Sequence, residues 1–307
     1  MTDMAILFDS SKCTACKGCQ VACKCWNNLP SPTEKNACVS QFTGTYQNPP
    51  DINSETRLII TFNEQEAETG NKGIKWAFGR RACQHCSNAG CVSVCPTGAI
   101  YRDEETGMVT TDESKCIGCQ RCSSACSYSV PQYHGPKGTI NKCTGCIDRI
   151  ENGMEPACVA TCQPNALQFG ERDEMLKIAK ARVEWLHEKG YEDACVYGEK
   201  EMDGLHAIQV LKYGIDMHGQ VKDPQVPASA FLTNIMKPIA GVGMGATVLG
   251  LAAMAGLAVG YKRDKLVYNE NTKDTISMET GEVVKQGDPQ DSRTFKEALS
   301  GKEAGNE

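Results

Sequence analysis

The chain carries no G-x-G-x-x-G dinucleotide fingerprint, no phosphate-binding P-loop, no H-E-x-x-H zinc-protease helix and no G-x-S-x-G nucleophile elbow. Those absences remove the commonest sequence routes to nucleotide binding and hydrolysis. Histidine is scarce: five are present (His85, His134, His187, His206, His218), at no spacing that marks a metal site. Positive charge is also short, with 32 Lys and Arg against 38 Asp and Glu and a net charge of −6, so a nucleic-acid partner is not expected. Met1 to Phe8 has neither a charged start nor an adequate apolar core, so it does not read as an export signal.

Cysteine is what the chain has in excess: nineteen, of which sixteen fall into four groups. Cys13, Cys16, Cys19 and Cys23 read C-x2-C-x2-C-x3-C, as do Cys116, Cys119, Cys122 and Cys126. The second group is Cys83, Cys86, Cys91 and Cys95, followed by Pro96; the fourth is Cys143, Cys146, Cys158 and Cys162. A cubane needs four thiolates around a compact core, and C-x2-C-x2-C wraps one turn of chain around three corners. The x3 step carries the last cysteine away, to the other cluster in two-cluster ferredoxins. A zinc site uses two cysteine pairs and leaves the remaining thiols of each run unexplained. A disulfide framework suits scattered thiols in a short secreted domain, not runs this dense. Four [4Fe–4S] clusters are therefore the expected cofactors, with electron transfer as the expected role and no catalytic residue.

Flanking residues bear on which groups pair. Gly98–Tyr101, a turn at Glu105–Gly107 and Met108–Thr111 read as strand, turn and strand joining group two to group three. Ala5–Phe8 leads into Asp9-x-Ser11-Lys12-Cys13 as Met108–Thr111 leads into Asp112-x-Ser114-Lys115-Cys116, and Ala166–Phe169 follows group four. By this pseudo-symmetry group one pairs with group four, nesting one ferredoxin-like unit inside the other. Exchange of last cysteines then gives four sets: Cys13, Cys16, Cys19 and Cys162; Cys23, Cys143, Cys146 and Cys158; Cys83, Cys86, Cys91 and Cys126; Cys95, Cys116, Cys119 and Cys122. The alternative pairs group one with two and three with four. Lys12, Lys115 and Lys142, and Arg80–Arg81, precede motifs and are candidates for raising cluster potentials, or are solvated surface cations. His85 is expected to pack beside a ligand. Cys25, Cys38 and Cys195 are expected as buried free thiols, with Cys25 as an alternative ligand.

The fold class is α+β: two nested bacterial-ferredoxin-like units over 1–170, then a helical and extended connector over 171–236. Met175, Leu176, Ala179, Val183 and Leu186 predict an amphipathic helix over 173–189, stopped by Gly190. Residues 239–261 hold no charge; at 1.5 Å per residue they reach about 34 Å, enough for a bilayer core of about 30 Å. A transmembrane helix is expected over 237–261, with G-x3-G pairs at Gly241/Gly245 and Gly256/Gly260 for close helix approach. Lys262, Arg263 and Lys265 follow it, so positive-inside bias puts the tail in the cytoplasm and the cluster domain on the outer, periplasmic side of the cell membrane. The tail, 262–307, is polar and expected to be disordered.

Taken together, CxxCxxCQVACxxWN (Cys13 to Asn27), CxHC-x4-C-x3-CP (Cys83 to Pro96), KCTxCxDR with EPACVxTC (Lys142 to Cys162), the Glu174 to Glu192 region and Lys237–Pro238 before the apolar stretch resemble the iron–sulfur (beta) subunits of membrane-bound respiratory formate dehydrogenases, nitrate-inducible type. The wider group is the four-cluster subunits of molybdopterin oxidoreductases. The resemblance implies a partner alpha subunit with a molybdenum or tungsten bis-pterin centre that oxidises formate, and a membrane gamma subunit with haem b that reduces quinone; the complex can form higher oligomers. It also implies that alpha carries the export signal for both chains, and its ligand pairing agrees with the nested sets. Ser127 and Lys24 stand where a proline often trails, and Gln163 moves Pro to position 164. The same relay in thiosulfate, polysulfide or dimethyl-sulfoxide reductase, or in a periplasmic hydrogenase, is the alternative; nitrate reductase, which has Trp for one cluster cysteine, is disfavoured. A metal-dependent scaffold is the reading from a different class.

Overall fold

The computed structural model describes residues 3–30, 45–66, 73–228, 230, 249–255, 265–269 and 271–287. The chain divides into two units, Met1–Pro238 and Ile239–Glu307.

The first unit opens with β1 (Met4–Asp9), α1 (Gly18–Trp26) and a hairpin of β2 (Ile59–Glu66) and β3 (Ile74–Arg81). Next come α2 (Gly90–Ser93), β4 (Ile100–Arg102), β5 (Val109–Thr111) and α3 (Arg121–Ser124). A hairpin of β6 (Gln132–His134) and β7 (Thr139–Asn141) leads to α4 (Ile147–Ile150), α5 (Ala157–Ala160) and β8 (Leu167–Glu171). The unit ends with α6 (Arg172–Glu188), β9 (Cys195–Tyr197), β10 (Ala207–Leu211) and α7 (Gly214–Met217).

The central sheet runs β8-β1-β10-β9, with β1 antiparallel to β8 and parallel to β10. Strand β1 has a neighbour on each edge and is covered on both faces, which its unbroken run Ala5–Ile6–Leu7–Phe8 permits. Side chains alternate across a strand, and here the alternation divides the core. Ala5 and Leu7 join Met175, Ala179 and Leu186 of α6. Ile6 and Phe8 face the other way, toward Cys19, Cys23, Cys158 and Leu167. The expected helix over 173–189 is α6, and Gly190 follows it at φ 86°.

The expected pairings of the outer strands (β1 with β8) and the inner strands (β4 with β5) are both present. The expected connector, 171–236, is different in kind. Its strand β10 lies between β1 and β9, so the sheet is incomplete without it. It also reaches the second cysteine group, through a bridge between Cys86 and Leu205. The Ala207–Leu211 run is too short for periodicity to mark it as a strand, and only its partner across 200 residues of chain decides its place.

In the second unit, β11 (Leu266–Tyr268), β12 (Thr275–Ser277) and β13 (Val283–Lys285) form an antiparallel three-stranded sheet. This corrects the expectation of disorder over 262–307 for the described residues 265–269 and 271–287. Short β-branched stretches separated by turns at Asn271 and Gly281 suffice for pairing, although average composition reads as polar. The expected span over 237–261 falls mostly outside the described residues. Of it, 249–255 is helical, with Leu249, Leu251 and Met254 exposed. Among the described residues no helix is long and apolar enough to cross a membrane.

Candidate iron–sulfur centres

Each cysteine group folds into the same two-part device. The residue two places after the first cysteine has positive φ in all four: Ala15 at 54°, His85 at 49°, Gly118 at 66° and Gly145 at 74°. That left-handed step reverses the backbone between two cysteines, so that both thiols can face one centre. It costs a residue with a Cβ about 1–2 kcal/mol, which glycine avoids. In groups one and three a second left-handed residue, Lys17 at 61° or Gln120 at 58°, immediately precedes α1 or α3.

The third and fourth cysteines then lie one helical turn apart. Cys19 and Cys23 are both on α1; Cys91, Cys122 and Cys158 are on α2, α3 and α5, with Cys95, Cys126 and Cys162 just beyond. Residues i and i+4 share a helix face but are displaced by about 6 Å along the axis. One helix can thus deliver its third thiol to one centre and its fourth to the next.

The groups meet in crossed pairs, with α1 packed on α5 and α2 on α3. Cys162 stands by Cys13 and Cys19, and Cys23 by Cys143, Cys146 and Cys158. Cys126 stands by Cys83, Cys86 and Cys91; Cys122 has Cys95, Cys116 and Cys119 around it. A cavity walled by Phe8, Ile60 and Leu167 is lined by Cys13, Cys16, Cys19 and Cys162 together. Every described cysteine is free of disulfides. Among the described residues no three His, Cys, Asp or Glu side chains converge as one metal ion would require. The thiols of the cavity line a space rather than a point, which fits a cubane bound at its corners.

Burial dominates the acidity of these thiols. It pushes Cys13 and Cys122 up to about 11, and Cys19, Cys91 and Cys146 up to about 12. Iron must displace those protons to bind. Amide groups already point at several sulfurs: Ala15 N–H donates to Cys13 Sγ (3.4 Å), Ile140 N–H to Cys116 Sγ (3.4 Å) and Leu167 N–H to Cys162 Sγ (3.3 Å). At Cys95 burial raises the pKa, but donors from Ile100, Thr97 and Ala99 outweigh it and the net shift is down.

The candidate cations divide into two kinds. Lys12 and Lys115 turn to Asp9 (3.9 Å) and Asp112 (3.0 Å), in matching turns where Ser11 and Ser114 donate to the same aspartates. Arg81 pairs with Asp51 at 3.0 Å and donates to the Tyr128 carbonyl. Lys142 is buried, and its Nζ donates to the carbonyls of Val109 (2.7 Å) and Cys143 (2.9 Å). Arg80 is also buried, with Nη1 3.4 Å from the Cys83 carbonyl and Nε without a partner. Burial works against its charge, but the thiolates of Cys158, Cys143, Cys19 and Cys83 outweigh it and raise its pKa. His85 is fully buried and neither ring nitrogen has a partner; burial holds its pKa well below the usual value.

Sequence reasoning passed over Arg57. It donates to Asn27 Oδ1 (2.5 Å) and Asn141 Oδ1 (2.6 Å), while Asn27 Nδ2 reaches Cys23 Sγ at 3.7 Å. No motif marks it, because it lies in an irregular segment. Cys25 is exposed and Cys195 half-buried, against the expectation of buried thiols; on α1, Cys25 is two residues past Cys23 and so on another face. Cys38 lies outside the described residues.

Crossed cysteine sets on left-handed turns define a ferredoxin-type protein, and residues 74–172 match the family model described as a 4Fe-4S dicluster domain. Over 253 residues the chain is 36% identical to the nitrate-inducible formate dehydrogenase iron-sulfur subunit of Escherichia coli (strain K12), covering 81% of this chain and 83% of that protein. The formate dehydrogenase-O iron-sulfur subunit of that organism is 33% identical over 249 residues, 80% of each chain. A component of its anaerobic dimethyl sulfoxide reductase is 34% identical over 176 residues, 57% of this chain and 77% of that one. The protein belongs to the formate dehydrogenase iron–sulfur subunits, as the motif resemblance implied.

Proposed function

We propose that this chain relays electrons within a formate dehydrogenase complex through four [4Fe–4S] clusters and transforms no substrate itself. The observation that carries the reading is the fourfold recurrence of the left-handed turn at Ala15, His85, Gly118 and Gly145 in C-x-x-C. The ligand sets are Cys13, Cys16, Cys19 and Cys162; Cys23, Cys143, Cys146 and Cys158; Cys83, Cys86, Cys91 and Cys126; and Cys95, Cys116, Cys119 and Cys122. The neighbours of Cys23 come from group four, which favours this pairing over one that joins group one to two.

When bound, a cubane takes up and releases one electron. The chain's residues supply its ligands, its burial and its electrostatic surroundings. Proximity of Cys19 to Cys158, of Cys143 to Cys83 and of Cys91 to Cys122 orders the sets one, two, three, four. All four thiols of the second set are buried, whereas Cys16 of the first and Cys119 of the fourth are exposed. Both ends of the row therefore open at the surface of the unit, where a donor and an acceptor can dock. The donor is a catalytic subunit with a molybdenum or tungsten bis-pterin centre, and the acceptor a membrane cytochrome b subunit that reduces quinone. Residues 237–261 anchor the chain in the membrane, with the cluster unit on the outer side. Similarity to the dimethyl sulfoxide reductase component supports a second reading, the same relay in another molybdopterin enzyme.

Iron and acid-labile sulfide should each approach about sixteen atoms per chain; half that number would remove the four-cluster claim. Cys19→Ser should abolish formate-to-quinone transfer while dye reduction by the catalytic subunit persists. Loss of both activities in an assembled complex would contradict a pure relay.

A further inference from the structure

Adjacent residues of β3 go opposite ways: Arg81 reaches Asp51 at the surface, while Arg80 points inward and is 1% exposed. Alternation along the strand explains the divergence, but not why a guanidinium is tolerated inside. Among the described residues Arg80 forms no ion pair with a carboxylate. One hydrogen bond, from Nη1 to the Cys83 carbonyl, is present, and Nε is buried without an acceptor. An unpaired buried charge costs several kcal/mol, so this arrangement calls for negative charge close by. The groups that surround it are cysteines of three different sets: Cys19 of the first, Cys143 and Cys158 of the second, Cys83 of the third.

Resting on the four-cluster reading, we infer that Arg80 is the shared counter-charge of the first three cluster positions and holds their reduction potentials up. It is a positioning residue: it ligates nothing and acts through the field it places at the junction. A cubane with four thiolates is net negative, and adding an electron makes it more so, so a fixed cation favours the reduced form. Lys12 and Lys115, each immediately before a first cysteine, are diverted to carboxylates, and both reach water that screens them. Lys142 is buried too, but its ammonium is already held by two carbonyls. Lys142 stands by Cys83 and Cys91 of the third set, whereas Arg80 has a buried nitrogen with no partner at all and thiols of three sets around it.

The test is an electron-resonance redox titration of the full-length, iron-loaded protein as wild type, Arg80→Met, Arg80→Lys and Lys115→Met. Wild-type iron and sulfide content, measured first, tests the four-cluster reading separately. At equal iron content, Arg80→Met should lower at least two of the midpoint potentials by tenfold or more in reduction equilibrium, which is about 59 mV for a one-electron couple. Arg80→Lys should restore most of the shift and Lys115→Met should produce none. Unchanged midpoints in loaded Arg80→Met, or an equal fall in Lys115→Met, would overturn the assignment. If Arg80→Met does not load iron, loading by Arg80→Lys supports the role of charge, and failure of both variants alike overturns it in favour of packing.

Discussion

The left-handed position of each C-x-x-C turn is occupied by Ala15, His85, Gly118 or Gly145, and these residues do not meet its cost equally. Ala15→Gly should be neutral or stabilising by about 1 kcal/mol. Gly118→Ala should destabilise by more than about 1 kcal/mol, because its φ is 66° and a Cβ there would run into the Gly138 carbonyl. Heating the iron-loaded variants and following cluster absorbance checks both signs. Another residue-scale effect sits away from the clusters, at His218. Its Nδ1 meets the Phe78 carbonyl at 3.2 Å and its Nε2 lies 3.4 Å from the Tyr213 amide, an arrangement that suits the neutral ring. Burial lowers its pKa to about 4, with the Phe78 contact opposing the shift. Since the folded value lies below that of the unfolded chain, the contribution is complete above pH 6.5 and is lost as pH falls toward 4. His218→Gln should remove on the order of 2 kcal/mol of pH dependence in that window, seen as a smaller fall in denaturation midpoint between pH 7 and pH 5. Neither effect was legible in the sequence, where Ala15 is one alanine among many and His218 has no motif around it.

At the scale of elements, the alternation along β1 separates stability from cluster binding. Leu7→Ala, on the α6 side, should cost about 2–5 kcal/mol and leave the cluster midpoints where they are. Phe8→Ala, one residue on, opens the cavity lined by Cys13, Cys16, Cys19 and Cys162, and should speed iron loss on chelator challenge as well. Equal chelator sensitivity of the two variants would refute this division of faces. Helix α6 is tied to the same strand by Arg182, whose Nε lies 3.0 Å from Asp9 Oδ2 and whose Nη2 donates to Ser11 Oγ at 2.8 Å. Asp9 is 2% exposed and keeps Ser11 and the more distant Lys12 as partners, so Arg182→Ala removes its nearer cation and should cost about 1–3 kcal/mol, measured by denaturant unfolding. The amphipathic period of α6 and the strand pairs flanking the cysteine groups could be read in advance, since local patterns carry them. The insertion of β10 beside β1 could not, because a parallel neighbour is chosen by burial on both faces and not by any local signal.

For the whole molecule, the charge-free stretch over 239–261 is the feature on which the proposed membrane anchor rests. Removing everything beyond Pro238 should release the cluster unit from membranes in alkaline carbonate, while the intact protein stays with the pellet; retention of the truncated form would argue against an anchor. The sequence by itself determined the cofactor chemistry, because C-x2-C spacing and an x3 helical step are local geometric requirements that survive in any fold. It also foreshadowed the nesting, through repeated Asp-x-Ser-Lys-Cys and flanking strands. The tertiary structure decided what the spacing could not: which cations are spent on carboxylates and which is buried among thiols, and which strands complete the sheet. Those outcomes depend on burial and on partners brought together from distant parts of the chain, and a residue's neighbours in sequence do not record either.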